Sequence, residues 1–190
     1  MINIAVFASG SGTNAQKIME YFDNHPHIRV SLILSNKSDA QVLLRASNFF
    51  IPTFIFDRDT FYNSEKVLIV LKEKNVSWII LAGFMWLVPE NILTSFKNKI
   101  INIHPALLPK FGGKGMYGMK VHEAVVIAKE NESGITIHYA NAHYDEGNII
   151  FQAKCFIDKN ETADSLSEKI HLLEHKYYPT IIEKTILENQ

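Results

Sequence analysis

Hydrophobic positions in this chain fall into short runs cut by polar turns, and two spacings alternate along the first half. Ile2 to Ala8 is a short apolar run without an amphipathic period, the pattern of a parallel strand buried on both faces. It breaks at Ser9-Gly10-Ser11-Gly12-Thr13-Asn14, and a helical pattern follows through Ile18, Met19 and Phe22. Ile28 to Leu34 repeats the strand signal, Ala40 to Phe49 suits a helix, and Pro52 to Phe56 suits a third short strand. Val67, Leu68, Val70 and Leu71 form a helical stripe within Phe61 to Lys74. Ser77 to Ala82 and Lys99 to Ile103 read as the fourth and fifth strands, with a short Pro89-led helix between them. Proline suits a first helical turn, where its missing N–H has no bond to lose.

The rhythm then changes. Lys110 to Met119 is a loop carrying Gly112, Gly113, Gly115 and Gly118, and Val121 to Lys129 is a helix candidate. Ile135 to Tyr139 and Ile149 to Phe156 are strand-like runs joined by a polar stretch, a candidate antiparallel pair. Ala163 to Leu187 closes the chain as a long helix in which Pro179 predicts a kink or break. The predicted class is α/β: an open, mostly parallel, doubly wound sheet of Rossmann-like type, with a C-terminal antiparallel strand addition and a long closing helix. No repeat, linker or low-complexity tract interrupts the pattern, so one domain over residues 1–190 is expected.

Composition narrows the function classes. The chain has 190 residues, 47% of them hydrophobic, enough to bury about 70% of its unfolded surface without staples. Its 19 Lys+Arg against 20 Asp+Glu, a formal charge of −1, argue against binding nucleic acid by bulk phosphate neutralisation. Cys155 stands alone, which excludes an intramolecular disulfide framework and a thiolate zinc cluster. The N-terminus has no basic flank and no small-residue cleavage site. The longest apolar run, Trp78 to Val88, falls well short of the about 20 residues a membrane span needs. The expectation is a soluble cytoplasmic protein, a monomer or homodimer, with neither nucleic acid nor membrane as partner.

Three places could carry chemistry. In an open α/β sheet, ligands bind beyond the carboxyl ends of the strands. At the first such turn, Gly10 and Gly12 allow close backbone approach, and the amides opening the next helix make an anion site with Ser11 and Thr13 as added donors. Gly10-x-Gly12-x-x-Ala15 also fits a loose dinucleotide fingerprint, but Ser35-Asn36 at the second strand's end offers no acid for a ribose diol. A monophosphate site and an unoccupied tight turn are the two readings left. In Asn102-Ile103-His104-Pro105, Asn102 and His104 share a strand face and could donate together to one developing oxyanion. They could equally be hydrogen-bonded wall residues. Asp145, in His143-Tyr144-Asp145-Glu146-Gly147, would raise the pKa of His104 and hold it protonated if within reach; otherwise it is a solvated hairpin carboxylate. No metal site is predicted: the 8 histidines are scattered, and His171 and His175 lack the glutamate of an HExxH pair.

Ala8-Ser9-Gly10-Ser11-Gly12-Thr13-Asn14, Leu81-Ala82-Gly83-Phe84-Met85, Asn102-Ile103-His104-Pro105-Ala106-Leu107-Leu108-Pro109 and Asp145-Glu146-Gly147 occur in order. Together they resemble the formyltransferase superfamily and, within it, the phosphoribosylglycinamide formyltransferase family, from end to end of the chain. The resemblance implies transfer of a formyl group from 10-formyltetrahydrofolate, a cosubstrate, to the amine of glycinamide ribonucleotide in purine biosynthesis, without a metal. It implies that Asn102 and protonated His104 hold the oxyanion, while Asp145 keeps His104 charged and relays a proton through water. By the same resemblance, Ser11, Gly12, Thr13 and Asn14 hold the ribonucleotide phosphate and Glu174 binds its ribose. The pterin is implied to lie against Met85, Trp86 and Leu87 and the loop of Ala140, Asn141, Ala142, His143, Tyr144 and Asp145. His138 matches a family position without an assigned step, and Leu108-Pro109 is a candidate cis bond.

The chain departs from the family pattern twice. Trp86 stands where many members carry arginine near the folate glutamate tail, and the glycine loop at 111–120 is longer than usual, a candidate mobile cover. Formyltetrahydrofolate deformylase and methionyl-tRNA formyltransferase share the Asn-x-His and Asp chemistry. The first normally has an added N-terminal domain and the second a C-terminal extension, so length favours the ribonucleotide enzyme. A non-catalytic nucleotide-binding module has no reason to keep all three of Asn102, His104 and Asp145, and a dehydrogenase lacks its ribose-binding acid.

Overall fold

The structure, a computed structural model, describes residues 1–189, which gather into two compact units, Met1–Ile101 and from Asn102 on. In the first, β1 (Ile2–Phe7), β2 (Ile28–Ser35), β3 (Thr53–Ile55) and β4 (Val76–Leu81) lie parallel in the order β3-β2-β1-β4. Ile4 of the central β1 is in register with Val30 on one side and Trp78 on the other. From Ile4 to Phe7 it is apolar throughout and buried on both faces, as a strand flanked in this way requires. Helix α1 (Thr13–Phe22) buries Ala15, Ile18, Met19 and Phe22, and α2 (Gln41–Asn48) buries Val42 and Ala46.

The stripe expected as one helix over Phe61 to Lys74 is two helices, α3 (Arg58–Tyr62) and α4 (Lys66–Glu73). Polar side chains make the break. Asp57 opens α3 by accepting from the Thr60 N–H at 2.7 Å, and at its end Asn63 and Ser64 bond back to the Asp59 carboxylate and the Thr60 carbonyl, both at 2.8 Å. Such local bonds compete with the helical ladder. Pro89 stands just ahead of α5 (Glu90–Ser95), as its extended N-cap rather than in its first turn.

Phe7, Phe56, Phe61, Phe84 and Trp86 form one aromatic cluster in this unit. Phe61 is 4.8 Å from Phe56, 5.5 Å from Phe84 and 5.9 Å from Trp86, centroid to centroid.

Within β5 (Ile100–His104) the chain passes into the second unit, where the order is β5-β6-β7. β6 (Glu132–Tyr139) and β7 (Ile149–Phe156) are antiparallel, from Glu132 opposite Phe156 to His138 opposite Ile149. The α/β class, with parallel strands followed by an antiparallel addition, is therefore as the sequence pattern predicts. Helix α6 (Met119–Ile127) packs against α7 (Ala163–Glu188), which opens on a reciprocal Thr162–Ser165 capping box. Pro179 does not break α7: the helix runs through it, because Ile170, Tyr178, Ile182 and Ile186 are all fully buried and that burial outweighs one missing backbone bond. The Leu108–Pro109 bond is cis. Among the described residues, no helix is long and apolar enough to cross a membrane.

Phe61 is almost fully buried at the centre of the aromatic cluster. Phe61→Ala is expected to cost about 3–5 kcal/mol of stability, the range for emptying an aromatic core site, measured as the change in urea midpoint at constant slope.

Candidate active site

Alternation along β5 buries Ile101 and Ile103 and puts Asn102 and His104 on a common face. Asp145 comes to them on the loop that follows β6. Its Oδ2 lies 3.4 Å from His104 Nδ1 and its Oδ1 lies 3.5 Å from Asn102 Nδ2. Gly147 makes that approach possible: a Cβ there would stand 1.6 Å from the Tyr139 carbonyl oxygen. The loop closes with the Tyr139 N–H donating to Asn148 O at 3.0 Å. Asp145 itself takes φ +59°, a left-handed conformation that aspartate tolerates better than most residues.

His138, to which the sequence assigned no step, joins the group. Its Nδ1 is 2.9 Å from Tyr139 O, so that nitrogen carries the hydrogen, and Nε2 is left to accept from Asn102 Nδ2 at 3.0 Å. A proton taken up at Nε2 would instead face Asp145 Oδ1, 3.6 Å away, at the expense of the Asn102 bond. His138 thereby fixes which end of the Asn102 amide turns toward Asp145. Thr136, two residues back on the same face of β6, donates to Ala106 O at 2.7 Å and accepts from Leu108 N–H at 3.0 Å. It pins the turn that follows His104. Both were detectable in principle as polar residues alternating with Ile135 and Ile137 in an otherwise apolar strand.

Burial dominates the His104 imidazole and pushes its pKa below the ordinary value, although Asp145 and the Phe111 carbonyl act upward. The sequence argument had Asp145 holding His104 protonated. Asp145 acts in that direction, and in the unliganded chain desolvation outweighs it. Burial acts to lift the Asp145 carboxyl, while His138 and His104 in their protonated forms and the Gly113 N–H act to lower it, and the net shift is downward.

The glycine-rich loop reaches both groups. His104 Nε2 donates to Phe111 O at 2.8 Å, and Gly113 N–H donates to Asp145 Oδ2 at 3.0 Å. Elsewhere in this unit, Glu174 is buried with its Oε2 2.8 Å from His171 Nδ1, a bond that raises the His171 pKa. Ala140 and Asn141 are half-buried, whereas Ala142, His143 and Tyr144 are exposed. Among the described residues, no cluster of three or more His, Cys, Asp or Glu is arranged to hold a metal ion.

In the first unit, the loop before α1 is fastened by its carbonyls. Gly10 O accepts from Val42 N–H at 3.3 Å, Ser11 O from Arg45 Nε at 2.7 Å and Gly12 O from Gln16 N–H at 2.8 Å. Gly12 sits at φ +70°, where a Cβ would meet that of Val42 at 2.6 Å. Thr13 and Asn14 open α1 directly after this fastened loop. Ser9 Oγ accepts from Met85 N–H at 3.1 Å, tying this loop to the segment of Met85, Trp86 and Leu87.

A half-buried amide and a buried imidazole lie beside one carboxylate on an α/β scaffold, an arrangement that suits acyl transfer. The chain belongs to the formyl transferase family, whose sequence profile it matches over residues 2–182. Within that family it is similar to proteins named phosphoribosylglycinamide formyltransferase. That of Bacillus subtilis is 36% identical over 98% of this chain and 95% of its own length. The chloroplastic protein of Arabidopsis thaliana is 37% identical over 94% of this chain. The chain spans 63% of the Arabidopsis relative and 59% of the one from Vigna unguiculata. The crystal structure of the Bacillus halodurans phosphoribosylglycinamide formyltransferase superposes with a TM-score of 0.88 at 34% identity, covering 99% of this chain and 97% of that one.

Because Asp145 is the neighbour that lifts His104 against burial, Asp145→Asn is expected to lower the His104 pKa further. An NMR titration of the imidazole C–H signals checks this; an upward movement would show that the carboxylate is not the opposing group.

Proposed function

We propose that the chain transfers the formyl group of 10-formyltetrahydrofolate to the amine of glycinamide ribonucleotide. The observation that carries the reading is the Asn102–His104–Asp145 group, with His138 orienting the amide. Its family membership and the names of its relatives support the same reaction. The family match runs through both compact units, which supports reading 1–190 as one catalytic domain.

In this reading the ribonucleotide amine attacks the formyl carbon directly. A new C–N bond forms, the carbonyl oxygen becomes an oxyanion, and Asn102 Nδ2 and His104 donate to it. Asp145, ionised and within reach of both, takes the amine proton through a water molecule and passes it to the folate nitrogen, whose bond to the formyl carbon then breaks. The negative charge that grows on the oxygen favours the imidazolium, so stabilisation is strongest in the transition state, where it accelerates reaction. His104 Nε2–H must first leave Phe111 O, so the glycine-rich loop has to yield before the oxyanion forms.

Ser11, Gly12, Thr13 and Asn14, at the start of α1, are assigned to the ribonucleotide phosphate by family resemblance, and Glu174 to the ribose hydroxyls. The segments at Met85–Leu87 and Ala140–Asp145 are assigned to the pterin by family resemblance.

The test is a spectrophotometric assay of folate product with and without the ribonucleotide. Product only in its presence is the expected result; product at equal rate without it would identify a deformylase instead. Asp145→Asn is expected to lower kcat by about 10²–10⁴-fold, the usual worth of a positioned acid–base group. An unaltered pH–rate profile in that variant would remove Asp145 from the proton relay.

A further inference from the structure

Asn3 is the one polar residue of β1, and it is buried, with 7% of its surface exposed. Its side-chain Nδ2 donates to Lys74 O and to Asn75 O, both at 3.1 Å, and its Oδ1 accepts from Arg29 Nε at 2.7 Å. The two terminal nitrogens of that guanidinium have no acceptor in the chain. A buried amide is thus spent on orienting a cation whose free edge can take a carboxylate in a two-pronged bond.

Arg29 lines a recess of about 490 Å³, the size of a small-molecule site. The recess lies at the amino ends of β2, β3 and β4, where Pro52 leads into β3 and Asn75 into β4. That is the opposite end of the parallel sheet from the Ser9–Asn14 loop, which follows the carboxyl end of β1. Phe50 forms part of the same wall and is 94% exposed. Helix α2 ends there with Ile51 N–H on Ala46 O and Phe50 N–H on Ser47 O, both at 3.1 Å. Phe50 takes the left-handed position of that closure, φ +54°, which glycine or asparagine ordinarily fills. A fixed backbone thereby displays a large ring to solvent at the recess that holds the guanidinium.

The charges around the recess balance. Arg29 and Lys74 stand against Asp23 and Glu73, and none of the four is in an ion pair with any described residue. The Asp23 carboxylate accepts only from the Asn24 side-chain amide, at 3.3 Å. Open groups of both signs suit a ligand that itself carries both, and the two carboxylates oppose a doubly charged phosphate. A carboxylate, an ammonium group and a flat apolar side chain on one small molecule answer all three features.

We propose that this recess binds a free aromatic amino acid, with its carboxylate on Arg29, its ammonium group on Asp23 or Glu73, and its ring against Phe50. The site is separate from the formyl-transfer reading and does not depend on it. The test is an amide NMR titration of the full chain with L-phenylalanine. Saturable shifts are expected at Arg29, Phe50, Ile51 and Asn75, with the Thr13 and Asn14 amides unmoved. Phenethylamine, which lacks the carboxylate, and 3-phenylpropionate, which lacks the ammonium group, are expected to bind the parent chain about tenfold more weakly, the worth of one charge-assisted bond. That comparison needs no variant. Arg29→Ala is expected to weaken L-phenylalanine by about tenfold, and Arg29→Lys, which keeps the charge and loses the fork, by less. No saturable shifts at millimolar L-phenylalanine, equal binding by either analogue, or undiminished binding by a folded Arg29→Ala chain would overturn the proposal.

Discussion

A charged carboxylate removed from water must be repaid by its neighbours, and in this protein that constraint falls on Asp145. An ionised acid without partners in such a place would neutralise itself instead. His104, Asn102 and the Gly113 N–H surround it, and separate pieces of local structure deliver these groups and the carboxylate. The end of β5 gives the first two, the glycine-rich loop gives the third, and the turn allowed by Gly147 gives the carboxylate itself. Thr136 and His138 on β6 then fix the turn after His104 and the amide of Asn102. The antiparallel addition is thus what holds the chemical groups in register with one another.

Much of this was legible in the sequence. Buried parallel strands announce themselves as unbroken apolar runs, and Asn102 and His104 could be placed on one face because the period of a strand is two. Asp145 was legible only through resemblance, since nothing in spacing shows how far a loop reaches. Where the pattern misled, side chains had overridden it. Asn63 and Ser64 cap a helix that the apolar stripe continues, and the packing around Tyr178 carries a helix through Pro179. The direction of the His104 shift was missed for a related reason: the charge partner can be guessed from sequence, but the depth of burial that outweighs it cannot.

The two halves of the chemistry are prepared in different ways. The loop at Ser9–Asn14 is tied down at every carbonyl from Gly10 to Gly12, which fixes its backbone. Under the proposed phosphate assignment, binding there would demand little reorganisation.

The glycine-rich loop is the opposite case. Phe111 adopts φ +56°, a left-handed backbone that costs a bulky residue on the order of 1 kcal/mol or more. It is held there by the hydrogen bond from His104 to its carbonyl, with Gly113 on Asp145 close behind. Those bonds satisfy polar groups that would otherwise be left poorly paired, and they use the same donor and acceptor positions that the proposed reaction needs. In that reaction a substrate carbonyl that takes the His104 hydrogen replaces the Phe111 carbonyl as its acceptor, so the imidazole exchanges one hydrogen bond for another rather than losing one.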